Sequence, residues 1–264
     1  MIDATTIETF QAEGVVLLRG VFADWVETLR AGITRNMADP SPLERTYEGG
    51  DKGAKFFQDY CSWDRIPEYR AFVRSSPMAE LAARLMRSQT ARIFHEHVLV
   101  KEPGSSTATP WHQDQPYYCV DGEQTASFWV ALDDVPRERS LEYLAGSHRP
   151  RALFRPKRFS GEDLYADDDA PRAPDIEADR AAFDIRGWDV AAGDAIVFNF
   201  RVLHAAAANR SPARRRAISF RWVGDDATYA ERKGPTSPPF PGLDLVDGAP
   251  FDAPQFPVIY STNG

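Results

Sequence analysis

A histidine and an aspartate stand two positions apart, at His112 and Asp114, in a segment that reads PWHQDQPYY from residue 110 to residue 118. If the segment is a strand, both side chains project from the same face, because alternate residues of a strand share a face. An imidazole and a carboxylate side by side offer two ligands to a divalent metal ion. A third ligand would complete the set of two histidines and one carboxylate that holds non-haem Fe(II) and leaves positions open for a cosubstrate and oxygen.

The best candidate for the third ligand is His204. It follows the segment from Asp194 to Phe200, which is typical of a strand, and it precedes a run of small residues where the chain can approach a buried site closely. Taken alone, any one of the 5 histidines is better explained as an ordinary core or surface residue. The upstream pair of His112 and Asp114 favours the metal interpretation.

Arg215 stands eleven positions after His204, at the start of the next predicted strand. A guanidinium that points into a barrel needs an anionic partner, because an unpaired buried charge costs several kcal/mol. The natural partner is the distal carboxylate of a bound oxo acid, to which arginine donates two parallel hydrogen bonds. The neighbouring Arg214 and Arg216 are expected to be solvated at the strand end.

Hydrophobic spacing predicts the elements that must position these residues. Helices are expected from about Thr5 to Glu13, from about Asp24 to Met37, and onward from Pro77. From about Thr90 the chain changes to short β-branched and aromatic segments separated by turn residues. The predicted strands are Val15 to Leu18, Ala91 to Lys101, Trp111 to Val120, Ala126 to Leu132, Leu141 to Leu144, Ala195 to Phe200 and Arg216 to Val223.

The order of these elements predicts a mainly β protein with flanking helices, an α+β arrangement. Many short strands without alternating helices favour an antiparallel barrel, with the jelly roll as the best single hypothesis. We expect one domain over residues 1–264, with a helical part at about 1–90 and a barrel at about 91–223. A long excursion at about 150–188 is expected to be a lid or a mobile loop, and a proline-rich tail at about 233–264 is expected to wrap the core.

Composition excludes several classes of protein. The chain has 264 residues, and the 43% that are hydrophobic are ample for a large core. Its formal net charge of -8 opposes binding to nucleic acid or to an anionic membrane. Its 2 cysteines, Cys61 and Cys119, do not form a disulfide framework or a zinc motif. The first residues lack the pattern of a signal peptide, and no run is long enough to span a membrane, so a cytoplasmic location is expected.

Taken in order, the singled-out residues resemble the phytanoyl-CoA dioxygenase family of Fe(II)- and 2-oxoglutarate-dependent oxygenases. The likeness extends from about Gly14 to about Val223. The motifs that carry it are, in chain order, His112-Gln113-Asp114, Gly146-Ser147-His148, His204, Asn209 and Arg215.

The resemblance implies a double-stranded β-helix, a cupin-like jelly roll, in which His112, Asp114 and His204 bind iron and Arg215 binds the distal carboxylate of 2-oxoglutarate. It implies an oxidoreductase that uses O2 to hydroxylate or otherwise oxidise a small molecule and releases succinate and CO2. Related halogenases replace the carboxylate ligand with a small residue, so Asp114 indicates oxidation without halogenation. The loop at residues 105–109 is shorter than in the CoA-ester enzymes of the family, which weakens the case for a CoA thioester substrate.

Further site residues are implied by rough alignment with the family. Trp129 matches a tryptophan that lines the cosubstrate pocket, and His97 and Gln58 fall where the family contacts 2-oxoglutarate, Gln58 from the predicted helical part. The candidates for the substrate end of the cavity are Tyr117, Tyr118 and Trp63.

A second pair of histidines, His95 and His97, leaves an alternative open. Two imidazoles on one face of a strand are also a metal-binding pattern of cupins, although no carboxylate follows in a matching later motif. This alternative predicts a metalloenzyme or isomerase that does not use 2-oxoglutarate.

Overall fold

Antiparallel β-sheets build the centre of the molecule in the computed structural model, which describes residues 2–48, 54–105, 108–157, 162–165, 168–209 and 212–263. The first seven strands are β1 (Val15–Leu18), β2 (Arg45–Glu48), β3 (Lys55–Tyr60), β4 (Thr90–Lys101), β5 (Thr109–His112), β6 (Val120–Asp121) and β7 (Thr125–Ala131). The other strands are β8 (Leu141–Leu144), β9 (Ile185–Arg186), β10 (Ala195–Phe198), β11 (His204–Ala206), β12 (Arg215–Val223), β13 (Thr228–Tyr229) and β14 (Val258–Ser261).

Twelve of the described strands form one large sheet and one smaller sheet that contribute to the same cavity, and β6 and β13 pair with each other in a third, two-stranded sheet. The large sheet has the order β1-β10-β7-β12-β4-β3-β2, with β14 also paired to β4, and the smaller sheet has the order β5-β11-β8-β9. Non-consecutive strands are neighbours in both sheets, and the pairings between them are antiparallel. This arrangement is the expected jelly roll. Strands β1, β2 and β3 belong to the large sheet although they precede residue 90.

Four helices pack against the outer face of the large sheet: α1 (Ala4–Glu13), α2 (Val26–Ala38), α3 (Pro67–Ser75) and α4 (Met78–Met86). The Asp3 carboxylate accepts a hydrogen bond from the backbone N–H of Thr6 at 2.8 Å and so caps the start of α1. Gly14, with φ 77°, ends that helix in the left-handed conformation that glycine adopts without strain. Within the described residues, no helix has both the length and the apolar character needed to cross a membrane.

Strand β12 separates the helix side of the large sheet from the cavity. Its residues alternate between the two faces, as the period of a strand requires. The side chains packed in the core beneath the helices are Ile218, Phe220 and Trp222. The side chains that line the cavity are Arg215, Ala217, Ser219 and Arg221. The apolar side chains on the outer face of β12 are packed in the core, and this packing fixes the backbone that carries the charged side chains of the inner face.

The predicted strand from Trp111 to Val120 is wrong. Strand β5 ends at His112, and a single 3₁₀ turn follows at Gln115–Tyr117. Beyond His112, the backbone N–H groups of Asp114 and Gln115 donate to the carbonyl of Phe200 and not to a neighbouring strand, and Pro116 has no N–H with which to resume the pairing. His112 and Asp114 therefore do not meet through strand alternation.

Gln58 also differs from its prediction, since it lies on strand β3 and not in a helical segment. The β3 sequence alternates like that of β12: Phe56, Gln58 and Tyr60 line the cavity, whereas Phe57 joins the core under the helices. Helix α3 was not predicted, although its three buried residues stand at helical spacing; they are Tyr69, Phe72 and Val73.

The excursion and the tail are partly described. Residues 158–161 and 166–167 of the excursion, like residues 106–107 of the loop before β5, lie outside the described residues. The excursion carries β9, which pairs with β8 at the edge of the smaller sheet. In the tail, the buried rings of Phe251 and Phe256 lie 5.6 and 5.4 Å from the ring of Phe94 on β4.

A buried acid, Glu96, joins strand β4 to the connection that leads into α3. Its carboxylate accepts hydrogen bonds from the backbone N–H groups of Ser62 at 2.6 Å and Trp63 at 2.8 Å. Burial raises the pKa of Glu96 to about 7, despite the opposing effect of these donors.

This raised pKa predicts a pH dependence of stability. Because the folded state keeps a proton on Glu96 that the unfolded state releases at lower pH, the free energy of unfolding should fall by up to about 3 kcal/mol as the pH rises from about 4.5 to about 7. Glu96→Gln should reduce that slope, and Glu80→Gln on the exposed side of α4 serves as the control. Urea unfolding at several pH values measures both slopes. Equal slopes in wild type and Glu96→Gln would contradict the assignment.

Candidate metal centre and cavity

The three predicted metal ligands come together in the structure. Oδ1 of Asp114 lies 3.6 Å from Nε2 of His112 and 3.8 Å from Nε2 of His204. One ligand atom from each residue lies within 4.8 Å of the others, and within the described part of the chain no other group of three or more His, Cys, Asp or Glu side chains converges in this way.

The two histidines are brought together by strand pairing in the smaller sheet. Strands β5 and β11 are antiparallel with His112 directly opposite His204, and the two ring centroids are 4.2 Å apart. On the other side of β11, the ring of Tyr143 stacks on His204 with a centroid distance of 5.8 Å. The ring of Phe198 packs against His204 as well, so this imidazole has little freedom to turn.

Backbone hydrogen bonds place Asp114 beyond the end of β5. The N–H groups of Asp114 and Gln115 both donate to the carbonyl of Phe200, at 2.8 and 3.0 Å. The buried side chain of Gln113 donates to the carbonyl of Arg201 at 2.9 Å and accepts from the N–H of Phe154 at 2.9 Å. The chain therefore turns directly after the histidine, and the turn carries the carboxylate back towards it.

Both histidines present the same ring nitrogen to the centre. Nδ1 of His112 lies 2.8 Å from the carbonyl oxygen of Pro110, and Nδ1 of His204 lies 3.0 Å from that of Val202. Each Nδ1 must carry the proton to donate to a carbonyl, which leaves the lone pair of each Nε2 available for a metal ion. Burial lowers the pKa of His204 to about 3, so this imidazole is neutral at physiological pH. The donor set fits a divalent metal ion.

Arg221 supplies a positive charge beside Asp114, and the sequence analysis did not predict this residue as part of the site. Its Nη2 and Nε lie 3.2 and 3.3 Å from Oδ2 of Asp114, and both side chains are buried. Burial alone would raise the pKa of Asp114, but Arg221, with smaller contributions from both histidines, holds it well below its usual range. One carboxylate oxygen is thus engaged by arginine and the other faces the histidines. The signal in the sequence was the alternation of polar and apolar residues along β12.

The centre opens into a cavity with about 850 Å³ of empty space, its open mouth included. All predicted site residues line this cavity except Trp63. Trp63 lies instead in the core beneath the helices, where the guanidinium of Arg74 sits 5.6 Å from its ring. The apolar part of the wall comprises Phe56, Leu99, Trp129, Leu141, Phe198, Ala206 and Ala217.

Arg215 lies in this cavity wall with 8% of its surface exposed. Its guanidinium donates a hydrogen bond to the carbonyl of Arg139, and burial lowers its pKa to about 10. The flanking arginines are held by acids on the other face, Arg214 by Glu102 and Arg216 by Asp133. They are therefore ion-paired and not simply solvated.

His97 and Gln58 lie together on neighbouring strands, with Nε2 of His97 at 2.9 Å from Oε1 of Gln58. The ring of Tyr60 stacks on His97 at a centroid distance of 4.0 Å. The Gln58 amide nitrogen is buried and has no acceptor among the described residues, and the same holds for Nη1 of Arg221. Two buried donors without acceptors in the wall of a cavity suit the oxygen atoms of a ligand.

The alternative metal pair does not assemble. His95 is buried outside the cavity lining, edge-on to Tyr118 at a centroid distance of 5.1 Å, and burial holds its pKa well below the usual range. His97 faces the cavity, but within the described residues no third ligand converges on the two histidines.

Comparison with known proteins places these observations in a family. The model of the family described as Phytanoyl-CoA dioxygenase (PhyH) matches residues 10–217. Phytanoyl-CoA dioxygenase 1 of Oryza sativa subsp. japonica is 22% identical over 182 residues, which cover 65% of this chain and 60% of that protein, less than two thirds of its length. Ectoine dioxygenase of Nocardia farcinica (strain IFM 10152) is 25% identical over 229 residues, which cover 82% of this chain and 76% of that protein.

Solved structures agree with the fold. The crystal structure of SnoK, a non-heme alpha ketoglutarate dependent carbocyclase from nogalamycin biosynthesis, is similar with a TM-score of 0.73 at 25% identity, covering 97% of this chain and 96% of that chain. The matched family segment runs from α1 into β12 and contains the converging histidines, the aspartate and Arg215. The chain belongs to the phytanoyl-CoA dioxygenase family.

Proposed function

We propose that this protein is an Fe(II)- and 2-oxoglutarate-dependent dioxygenase that hydroxylates or otherwise oxidises a small molecule and releases succinate and CO2. The observation that carries the proposal is the convergence of Nε2 of His112, Nε2 of His204 and Oδ1 of Asp114 beside a cavity that also holds a buried arginine. Two histidines and one carboxylate are the ligand set of non-haem Fe(II) oxygenases. The family and the likeness to an alpha ketoglutarate dependent enzyme support the same assignment.

In this proposal, bound Fe(II) supplies the redox chemistry that activates O2, and the residues of the chain position and shield the reactants. His112, Asp114 and His204 hold the metal ion. Arg215 binds the distal carboxylate of 2-oxoglutarate, and Trp129 forms part of the apolar wall of the same cavity. This wall limits water near the oxidising centre and strengthens the charged contacts inside the cavity.

The pair of Gln58 and His97 is proposed to contact the cosubstrate from the large sheet, to which the strands of both residues belong. The Gln58 amide nitrogen offers a buried hydrogen bond, and the 2.9 Å contact with His97 fixes which end of the amide points into the cavity. The His97 ring is oriented in turn by its stacking on Tyr60.

Tyr117 and Tyr118 are proposed to frame the substrate end. The Tyr117 hydroxyl accepts from the N–H of Lys157 at 2.7 Å and donates to the carbonyl of the same residue at 2.6 Å. The backbone carbonyl of Tyr117 accepts from the N–H of Ser237 at 2.8 Å. The substrate end is thus assembled from the turn after β5, the excursion and the tail.

The test of the proposed function uses metal-free protein loaded with Fe(II) under anaerobic conditions. Addition of 2-oxoglutarate should produce a weak visible charge-transfer band, and admission of air with a metabolite panel should release succinate. Arg215→Ala should raise the 2-oxoglutarate concentration that half-saturates the band by about 10- to 100-fold, because it removes a charge-assisted hydrogen bond. Arg214→Ala, which alters an ion-paired arginine outside the cavity, is the matched control.

Two outcomes would contradict the proposal. A folded, Fe(II)-loaded protein that gives neither the band nor succinate is not a 2-oxoglutarate oxygenase. Turnover of a substrate that is indifferent to 2-oxoglutarate would favour the alternative, a cupin-like metalloenzyme or isomerase. An unchanged half-saturation in Arg215→Ala would show that the cosubstrate assignment is wrong.

A further inference from the structure

One nitrogen of the Arg221 guanidinium faces the cavity without a partner. The Nε and Nη2 atoms contact a single carboxylate oxygen, Oδ2 of Asp114, at 3.3 and 3.2 Å. Nη1 carries two more N–H donors, and this buried nitrogen has no acceptor among the described residues. A buried donor without an acceptor is costly, and more so on a charged group. Nη1 is therefore suited to an oxygen atom that the chain itself does not supply.

The position of Arg221 sets it apart from the proposed site of the distal carboxylate. Arg215 and Arg221 both line the cavity, but they are six positions apart on β12, or about 20 Å along its backbone. Lys101 lies opposite Arg215 in the register of β4 and β12 and so belongs to the Arg215 end. The guanidinium of Arg221 lies 5.6 Å from the ring centroid of Tyr118, which is proposed to frame the substrate end. Arg221 is thus at the end of the cavity where the substrate is proposed to bind.

The other polar side chains around Arg221 do not carry negative charge. Burial raises the pKa of the Tyr60 and Tyr118 phenols and lowers the pKa of the His97 imidazole, so all three are neutral at physiological pH. Within the described residues, Asp114 is the only acid that lines the cavity and the only acid within ion-pair distance of Arg221. A metal ion bound to Asp114 would share this single negative charge with the guanidinium.

The charges of the loaded cavity favour one further anion. With 2-oxoglutarate bound as proposed, the positive charges of a divalent ion, Arg215 and Arg221 exceed the negative charges of Asp114 and the cosubstrate by one. A protonated Lys101 would increase this excess, since Lys101 lines the same cavity. Unbalanced charge in a buried site is unfavourable, because the surroundings screen it poorly. A substrate that brings a negative charge to Arg221 would reduce the imbalance.

We propose that the small molecule oxidised by this protein is a carboxylic acid, and that Nη1 of Arg221 donates to its carboxylate. The inference rests on the proposed function and adds a substrate class and a specificity-determining residue to it. A carboxylate is favoured over a neutral oxygen because it both accepts the unpaired hydrogen bonds and balances the charge. The aromatic rings of Tyr117 and Tyr118 in the cavity wall suit the remainder of the molecule.

The experiment compares monocarboxylic acids with their primary amides, which have nearly the same shape and no charge. A panel of aliphatic and aromatic acids, each with its amide, is titrated by anaerobic isothermal titration calorimetry into Mn(II)-loaded protein saturated with 2-oxoglutarate. Saturation keeps the acids out of the cosubstrate site. The variant is Arg221→Lys, which keeps a positive charge beside Asp114 but lacks the planar fork that can bridge two carboxylates. Arg214→Lys, outside the cavity, is the matched control.

At least one acid of the panel should bind to the wild-type protein at least about 10-fold more tightly than its amide, because only the acid accepts a charge-assisted hydrogen bond. This comparison does not depend on any variant. Arg221→Lys should weaken binding of that acid by about 10-fold or more and change binding of its amide by no more than about twofold. Arg214→Lys should bind both compounds as wild type does.

Equal binding of acids and amides by wild type, or binding of none of the acids, would overturn the proposal. An Arg221→Lys variant that binds the acid as tightly as wild type does would overturn it as well, and equal weakening of acid and amide would show a structural role for Arg221. An equally large loss of 2-oxoglutarate affinity in this variant would assign Nη1 to the cosubstrate instead. Failure of the wild-type protein to bind 2-oxoglutarate would contradict the proposed function itself.

Discussion

His204→Ala is expected to abolish oxidation coupled to 2-oxoglutarate and to weaken metal binding by at least about 100-fold. Mutation of a residue that only hydrogen-bonds to a metal ligand already lowers metal affinity by about 10- to 100-fold, so loss of a ligand itself should cost at least as much. His204 is buried, and its Nε2 lies 3.8 Å from Oδ1 of Asp114, so no solvent-exposed group can take its place without rearrangement of β11. Mn(II) titration followed by electron paramagnetic resonance measures the affinity, and succinate release measures the turnover.

The control for this substitution is His148→Ala. His148 is also buried, but its ring contacts the carbonyl of Gln11 at 3.1 Å and it does not line the cavity. The control should bind Mn(II) as wild type does. Retention of wild-type metal affinity by His204→Ala would contradict the assignment of this histidine as a ligand.

Arg221→Met is expected to destabilise the metal-free protein by about 3 to 5 kcal/mol, the usual cost of removing one partner of a buried ion pair. The reason is that Asp114 would keep a buried carboxylate without the guanidinium that now contacts its Oδ2 at 3.2 Å. A divalent ion would replace the missing positive charge. Mn(II) should therefore raise the melting temperature of Arg221→Met by more than it raises that of wild type.

A double-mutant cycle separates this pair interaction from a general packing defect. Asp114→Asn removes the negative charge, so the further loss caused by Arg221→Met should be smaller in the Asp114→Asn background than in wild type. The free energies come from urea unfolding in the presence of a chelator. Equal losses in both backgrounds would show that Arg221 stabilises the fold by packing and not through Asp114.

Residue type and spacing predicted that His112, Asp114 and His204 belong to one site, and the structure brings them together, but for a partly different reason. The prediction placed His112 and Asp114 on one strand, whereas the strand ends at His112 and a turn brings the carboxylate back to the histidine. Such a turn depends on hydrogen bonds to Phe200, which lies 86 positions further along the chain (200 minus 114). Contacts over that separation leave no periodic signal in one sequence.

The cations of the inner face show the same limit. Arg221 and Lys101 occur in segments that were predicted as strands, and their alternation with apolar neighbours was visible. What the sequence alone did not contain is the register, which sets Lys101 opposite Arg215 and brings Arg221 to Asp114. The jelly roll itself was predictable, because many short strands with turn residues between them leave few other ways to bury their apolar faces.

The position of Tyr117 has a consequence for how such an enzyme could change its substrate. Strand β12 pairs with a strand on each side, and its two faces line the core and the cavity, so a change there alters both together. Tyr117 instead joins three segments outside the large sheet through its contacts with Lys157 and Ser237. Connecting segments tolerate insertion and substitution far better than central strands. Under the proposed function, new substrate preferences can therefore evolve in these segments while the metal-binding residues are inherited unchanged.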